Sequence, residues 1–381
     1  MVAKMPSALL MFMPVFLLSV IGTCSGDQTT AFFVFGDSYA DTGNYHPPVN
    51  NSIVSAWKYP YGITWPGHPS GRVSSGRILT DYLAQILGLP SPITYRVLNS
   101  STHHIVALQG INFAISYSGV FDSLGVPKLS VQVGNFKDTI ISQKYDSHHL
   151  KHSVVLLTLN GNDYAATNVS AVGTEKFVKS VITEMKLQLT ELYSLGLRNF
   201  LVSNNMPFDC QPGYLQSGAV CFNTTMELVS THNNYLSQAI SELSELEDAN
   251  FLILDFFAAF SHIILNPFAY GIHEMSRSCC SRDGNMSSSV IGCADYDEQG
   301  RALFHLCKSQ EEFFFFDWYH PTQKGWQVMI NLHYSHNGFV QDGSFSHLQS
   351  LAKWLSDRVG LDSYPPKFSQ KRMHRKVNNE Y

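Results

Sequence analysis

The chain has 381 residues, 44% of them hydrophobic and 14% charged, with a formal net charge of −5. That composition describes a globular protein able to bury a full core and excludes a disordered or fibrous chain, and the acidic balance leaves no electrostatic footprint for nucleic acid. The length allows one large domain or two small ones.

At the amino end, Lys4 precedes an apolar run from Ala8 to Ile21, and small residues follow at Thr23, Ser25 and Gly26. This order of basic, apolar and small residues reads as a signal peptide over residues 1–26, cleaved near Gly26. A membrane anchor is the competing reading, but the run falls short of the ~20 residues that a span needs. The second apolar stretch, Phe251 to Leu265, is also too short and carries Asp255 and His262. No transmembrane segment is expected.

Beyond the leader, short apolar runs alternate with helical patterns. The runs are Ala31 to Phe35, Ser153 to Leu159, Asn199 to Ser203, Phe251 to Asp255 and Phe313 to Phe316. Helices are expected over Ile78 to Leu87, Thr174 to Leu195, Thr225 to Leu246, and from Pro321 to the mid-330s. Continuous apolar strands separated by helices argue for a parallel sheet covered on both faces, a doubly wound α/β domain. No repeat, linker or charge block divides residues 27–361, so one domain is expected. The basic tail 362–381, with Lys367, Lys371, Arg372, Arg375 and Lys376, reads as a solvated, poorly ordered end.

Cleavage of the leader would remove Cys24 and leave Cys210, Cys221, Cys279, Cys280, Cys293 and Cys307. An even count in an exported chain argues for disulfides. Cys210 with Cys221 is the natural local pair. The other four can pair in three ways, with the vicinal Cys279 and Cys280 bonding to different partners. A zinc site is the alternative, but the spacing lacks the usual close ligand pairs, so no metal is expected. Sequons at Asn50, Asn99, Asn168, Asn223 and Asn285 are candidates for N-glycosylation.

In an open α/β sheet, ligands gather outside the carboxyl ends of the strands. Gly36-Asp37-Ser38 follows the first run, Asn160-Gly161-Asn162-Asp163 the second, and Asp317-Trp318-Tyr319-His320 the last. A serine hydroxyl becomes a nucleophile when a base takes its proton, and that base needs a carboxylate to fix its tautomer. Ser38, His320 and Asp317 supply these groups. The oxyanion formed on attack needs donors fixed beforehand. The backbone N–H groups of Ser38 and Gly110 and the side-chain amide of Asn162 are the candidates. Taken singly, each has a structural explanation: a turn aspartate beside a surface histidine, a turn glycine, an asparagine turning the chain at a strand end.

Four blocks occur in order: Phe35-Gly36-Asp37-Ser38-Tyr39-Ala40-Asp41-Thr42-Gly43-Asn44, Gly110-Ile111-Asn112-Phe113-Ala114, Gly161-Asn162-Asp163 and Asp317-Trp318-Tyr319-His320-Pro321-Thr322. In this the chain resembles the plant GDSL esterase/lipase family, a branch of the SGNH hydrolases, over nearly all of its length beyond the leader. The resemblance implies a flavodoxin-like sheet, Ser38 as nucleophile, Asp317 and His320 completing the triad, Gly110 and Asn162 as oxyanion donors, and no cofactor. It also implies an ester substrate, whether a lipid, an acylated glycan or an acylated metabolite, while the leader, the even cysteine count and the sequons point to secretion into the apoplast or cell wall, with the vacuole as the alternative destination. Acyl transfer through the same acyl-enzyme is the alternative reaction, and a catalytically silent glycan-binding protein is the alternative from another class. Asp37 and Asp163 are expected to support the turns. Tyr39 departs from the pattern, standing where the motif's name has leucine.

Overall fold

The computed structural model describes residues 29–46, 56–101, 105–122, 124–282, 293–344, 346–347 and 349–359. The expected leader, the tail 362–381 and the sequons at Asn50 and Asn285 lie outside the described residues.

Six parallel strands form the centre: β1 (Phe32–Gly36), β2 (Ile93–Thr94), β3 (Ile111–Asn112), β4 (Val154–Thr158), β5 (Asn199–Ser203) and β6 (Asn250–Leu254). Outside them, β7 (Glu274–Ser278) pairs with β10 (Phe313–Phe315), β8 (Cys280–Arg282) pairs with β9 (Phe304–Leu306), and β11 (Val340–Asp342) joins the main sheet antiparallel to β6. The main sheet runs β11-β6-β5-β4-β1-β3-β2. With β1 central and the chain turning outward on both sides, this is the flavodoxin-like doubly wound order.

Burial explains why the central strands read as unbroken apolar runs. Every residue of β1, β4 and β5 is buried. Along β1, Phe32 and Val34 enter one core while Phe33 and Phe35 enter the other, as the period of two requires. Each such side chain contributes about 1.5–3 kcal/mol when fully buried, so a charge on either face would be costly. Helices Leu129–Gln143, Thr174–Ser194 and Met226–Leu243 cover the second face. Thr174–Ser194 does so with Val178, Val181, Ile182, Met185, Leu189 and Leu192 at helical spacing. The first face takes helices Leu79–Ile86, Phe256–Leu265, Gln323–Ser335 and Leu351–Val359.

The run Phe313–Phe316 departs from expectation. Read as the last strand of the parallel sheet, it forms β10 and pairs with β7 in a separate two-stranded sheet. Phe314, Phe315 and Phe316 are fully buried there, so the hydrophobic pattern was correct and only the partner differed. The segment that carries β8 and β9 is tied by two disulfides, Cys279–Cys307 and Cys280–Cys293, so the vicinal cysteines do bond to different partners, and Cys210–Cys221 is the expected local pair.

Candidate active site

The carboxyl ends of β1 and β4 bring the first two segments together. β1 ends at Gly36, which pairs with Thr158 so closely that a Cβ would overlap the Thr158 carbonyl oxygen, and its φ of 131° suits only glycine. Gln132, fully buried, clamps this residue by accepting from its N–H at 2.8 Å and donating to its carbonyl at 2.9 Å. The chain then turns sharply. Asp37 accepts from the Tyr39 amide at 3.0 Å and the Asn160 amide at 2.6 Å, tying the two strand ends together. Four residues on, Asp41 accepts from the amides of Gly43, Asn44, Tyr45 and Ser116. Ser38 is left partly exposed on a turn fixed from both sides.

The third segment follows β10. Asp317 Oδ1 accepts from the amides of Tyr319 (3.0 Å) and His320 (2.9 Å) and from His320 Nδ1 (2.7 Å), a tight turn that holds the ring and its carboxylate together. A carboxylate can only accept, so Nδ1 carries the hydrogen and Nε2 is free to accept from Ser38 Oγ, at 2.8 Å. Pro321 and Thr322 end the turn: Thr322 caps the Gln323–Ser335 helix by accepting from Gly325 N–H at 2.9 Å. Tyr61, fully buried, donates to the second oxygen of Asp317 at 2.9 Å. Burial pushes the Asp317 carboxyl up, but the adjacent His320 ring and the hydrogen bonds from Tyr319 and His320 outweigh it and hold the carboxyl below its usual range. Asp37, by contrast, is pushed up to about 6 by burial.

Asn162 opens the short helix after β4, and its Nδ2 donates to the Ser118 carbonyl at 2.9 Å. One amide hydrogen thus fixes the side chain and a second remains. Asp163 beside it accepts from the amides of Val120 and Phe121, both at 3.0 Å, a turn support as expected.

Gly110 is not brought to this cluster, and the role expected of it needs correction. β3 runs parallel to β1 with Asn112 opposite Val34, so Gly110 falls beside Phe32 at the amino end of the strand. Four residues of strand, roughly 13 Å, separate that level from Gly36. Its N–H is donated to the Ala107 carbonyl at 3.1 Å. Glycine is needed there because a Cβ would overlap the Phe32 carbonyl oxygen, at a φ of 111°. The part of this segment that abuts the nucleophile turn is Ile115–Ser118: Ile115 N–H donates to the Gly36 carbonyl at 3.0 Å, and Ser116 holds Asp41. Within it Tyr117 adopts φ 71°, a left-handed conformation that is strained for a tyrosine.

Tyr61 and Tyr39 are site residues that carried no assignment from sequence. Tyr61 lies in Tyr59-Pro60-Tyr61-Gly62, a stretch without charge or motif spacing to suggest a bond to a carboxylate. A cleft of about 1010 Å³, lined by Lys151, Arg198, Asn250 and Trp354 among others, contains none of the residues around Ser38.

Residues 32–332 match the family model for GDSL-like lipase/acylhydrolase. The chain is 34% identical over 320 residues to GDSL esterase/lipase At5g03610 of Arabidopsis thaliana, covering 80% of this chain and 86% of that protein. It is 33% identical over 319 residues to GDSL esterase/lipase At2g36325 of the same plant, covering 81% and 86%. With the strand-end serine, the Asp-x-x-His turn and a match over most of its length, the chain belongs to the GDSL-like lipase/acylhydrolase family and is a carboxylic ester hydrolase.

Proposed function

We propose that the chain cleaves esters through an acyl-enzyme on Ser38. The observation that carries this reading is the unbroken line Ser38 Oγ, His320 Nε2, His320 Nδ1, Asp317 Oδ1, with contacts of 2.8 and 2.7 Å. As Ser38 Oγ attacks the ester carbonyl carbon, its proton passes to His320 Nε2. Asp317, held ionised, stabilises the imidazolium that results. The negative charge on the carbonyl oxygen is met by the Ser38 N–H and the second amide hydrogen of Asn162. His320 then protonates the leaving alkoxide, and a water deprotonated by the same Nε2 attacks the acyl-enzyme, releasing the acid and restoring Ser38.

The enzyme is proposed to act outside the cytosol. All six cysteines that remain beyond residue 26 form disulfides, which persist in an oxidising compartment. The sequons at Asn99, Asn168 and Asn223 are exposed, as a glycosylated chain requires. Residues 1–26 supply the leader and 27–361 the hydrolase domain. The substrate is an ester of a lipid, a glycan or a small acylated metabolite.

Ser38→Ala should abolish hydrolysis of p-nitrophenyl acetate while leaving the far-UV spectrum and Tm unchanged, because the side chain sits at a strand end outside both cores. Wild-type turnover in that variant would rule out Ser38 as nucleophile.

A further inference from the structure

Tyr39 follows the nucleophile and turns its side chain inward, leaving only 3% of the residue exposed. Its ring meets the ring of Trp326 edge to face at 5.1 Å and that of His320 at 5.8 Å. The hydroxyl lies 2.9 Å from the Tyr319 carbonyl oxygen, 3.1 Å from Gln211 Nε2 and 3.9 Å from Met206 Sδ. An amide nitrogen can only donate, so the hydroxyl oxygen accepts from Gln211. Its single proton is thereby directed to the Tyr319 carbonyl, a stronger acceptor than a thioether at the longer distance. Tyr319 is the residue before His320, and its carbonyl belongs to the peptide that leads into the base. On the other side of the same turn, Gly213 N–H donates to the Trp318 carbonyl at 3.0 Å, so one short segment braces two successive carbonyls, Gly213 directly and Gln211 through the Tyr39 hydroxyl.

We propose that Tyr39 is a positioning residue whose hydroxyl, oriented by Gln211, holds the Tyr319–His320 peptide so that Nε2 meets Ser38 Oγ. This rests on the reading of Ser38, His320 and Asp317 as the catalytic triad. A leucine at residue 39 could fill part of the volume but could not make the bond. The turn would then be anchored on one side only, and the nucleophile and base would sample longer separations. Small displacements of this kind slow the chemical step and leave ground-state binding almost untouched.

The test compares Tyr39→Phe, Gln211→Met and the double variant by kcat and KM for p-nitrophenyl acetate and by the rate at which a fluorophosphonate labels Ser38. Tyr39→Phe should lower kcat and the labelling rate together by about tenfold, with KM within about twofold. Gln211→Met should cause a smaller loss of the same kind. The double variant should be no worse than Tyr39→Phe, because both changes act through one hydroxyl. Tyr145→Phe removes another buried hydroxyl, which donates to the Ala107 carbonyl at 2.6 Å away from the triad, and should leave kcat and labelling unchanged whatever its effect on Tm. Should Tyr39→Phe fail to fold, Gln211→Met carries the test alone through the same two readouts. Normal kcat and labelling in Tyr39→Phe, or losses that simply add in the double variant, would overturn the proposal. Full activity in Ser38→Ala would instead remove the triad reading itself, a result that the Tyr39 variants do not affect.

Discussion

Asp37 and Asp317 are both carboxylates with 1% exposure or less, and their surroundings drive them in opposite directions. For Asp37, burial dominates over the amides of Asn160 and Tyr39 and pushes the carboxyl from 3.8 up to about 6. The folded protein therefore holds that proton to near pH 6, whereas the unfolded chain releases it near 3.8. Because the folded state binds more protons in this window, stability from Asp37 is present below the unfolded value and is lost as pH rises through the folded one. The loss amounts to roughly 3 kcal/mol. Asp317, held low, acts the other way and is stabilising once ionised. Urea unfolding of wild type and Asp37→Asn from pH 4 to 7 isolates the first effect: the advantage of wild type should shrink across that range, and a constant difference would contradict it. Asn162 offers a kinetic counterpart. Asn162→Ala should depress kcat by ~10² to 10³ with little change in KM, since the lost donor acts on the oxyanion. A purely structural amide, serving only Ser118, would instead lower Tm and leave kcat per folded molecule normal. The close pair Asp317 and His320 was legible because three residues of spacing suffice to build the turn. Tyr61 and Tyr39 were not, since their partners Asp317 and Tyr319 lie 256 and 280 residues away along the chain. Gly110 misled because its glycine is real, demanded by contact with Phe32, but at the wrong end of the strand.

At the level of elements, what the sequence disclosed followed burial. β1, β4, β5 and β6 have apolar runs bounded by turns and were legible to within a residue or so at each end. The two-residue strands β2 and β3 and the three-residue β11, Val-Gln-Asp, carry no period that local sequence could show. β10 was recognisable as a strand but not by its partner, since an all-phenylalanine run fits any buried sheet. The short elements matter for the site all the same. The segment from Pro207 to Thr225, closed by Cys210–Cys221, supplies Gln211 and Gly213 to the His320 turn and is tied down by Asp209, which accepts from the amides of Asn223 and Thr225. Replacing both cysteines by serine should cost about 2–4 kcal/mol in urea unfolding. It should also lower kcat in the same preparation, because the brace on the base loosens. A destabilised double variant with wild-type kcat per folded molecule would show that the brace does not depend on this bond.

Across the whole molecule, the main sheet carries the ends of β1 and β4 to one edge, and the separate β10–β7 pair brings the Asp317–His320 turn to meet them. The leader, the tail and two of the sequons lie outside the described residues, so the proposed export rests on the disulfides and the three exposed sequons. Among the described residues no helix is long and apolar enough to cross a membrane. The measurement that bears most directly on the mechanism is capture of the covalent intermediate. The purified chain is mixed with p-nitrophenyl acetate, quenched in acid within the first turnovers, and analysed by intact and peptide mass spectrometry. The predicted result is a gain of one acetyl group located on Ser38, absent in Ser38→Ala and lost on incubation at neutral pH. An unmodified enzyme that still releases the full burst of p-nitrophenol, or an acetyl group on another residue that turns over at the catalytic rate, would contradict the account.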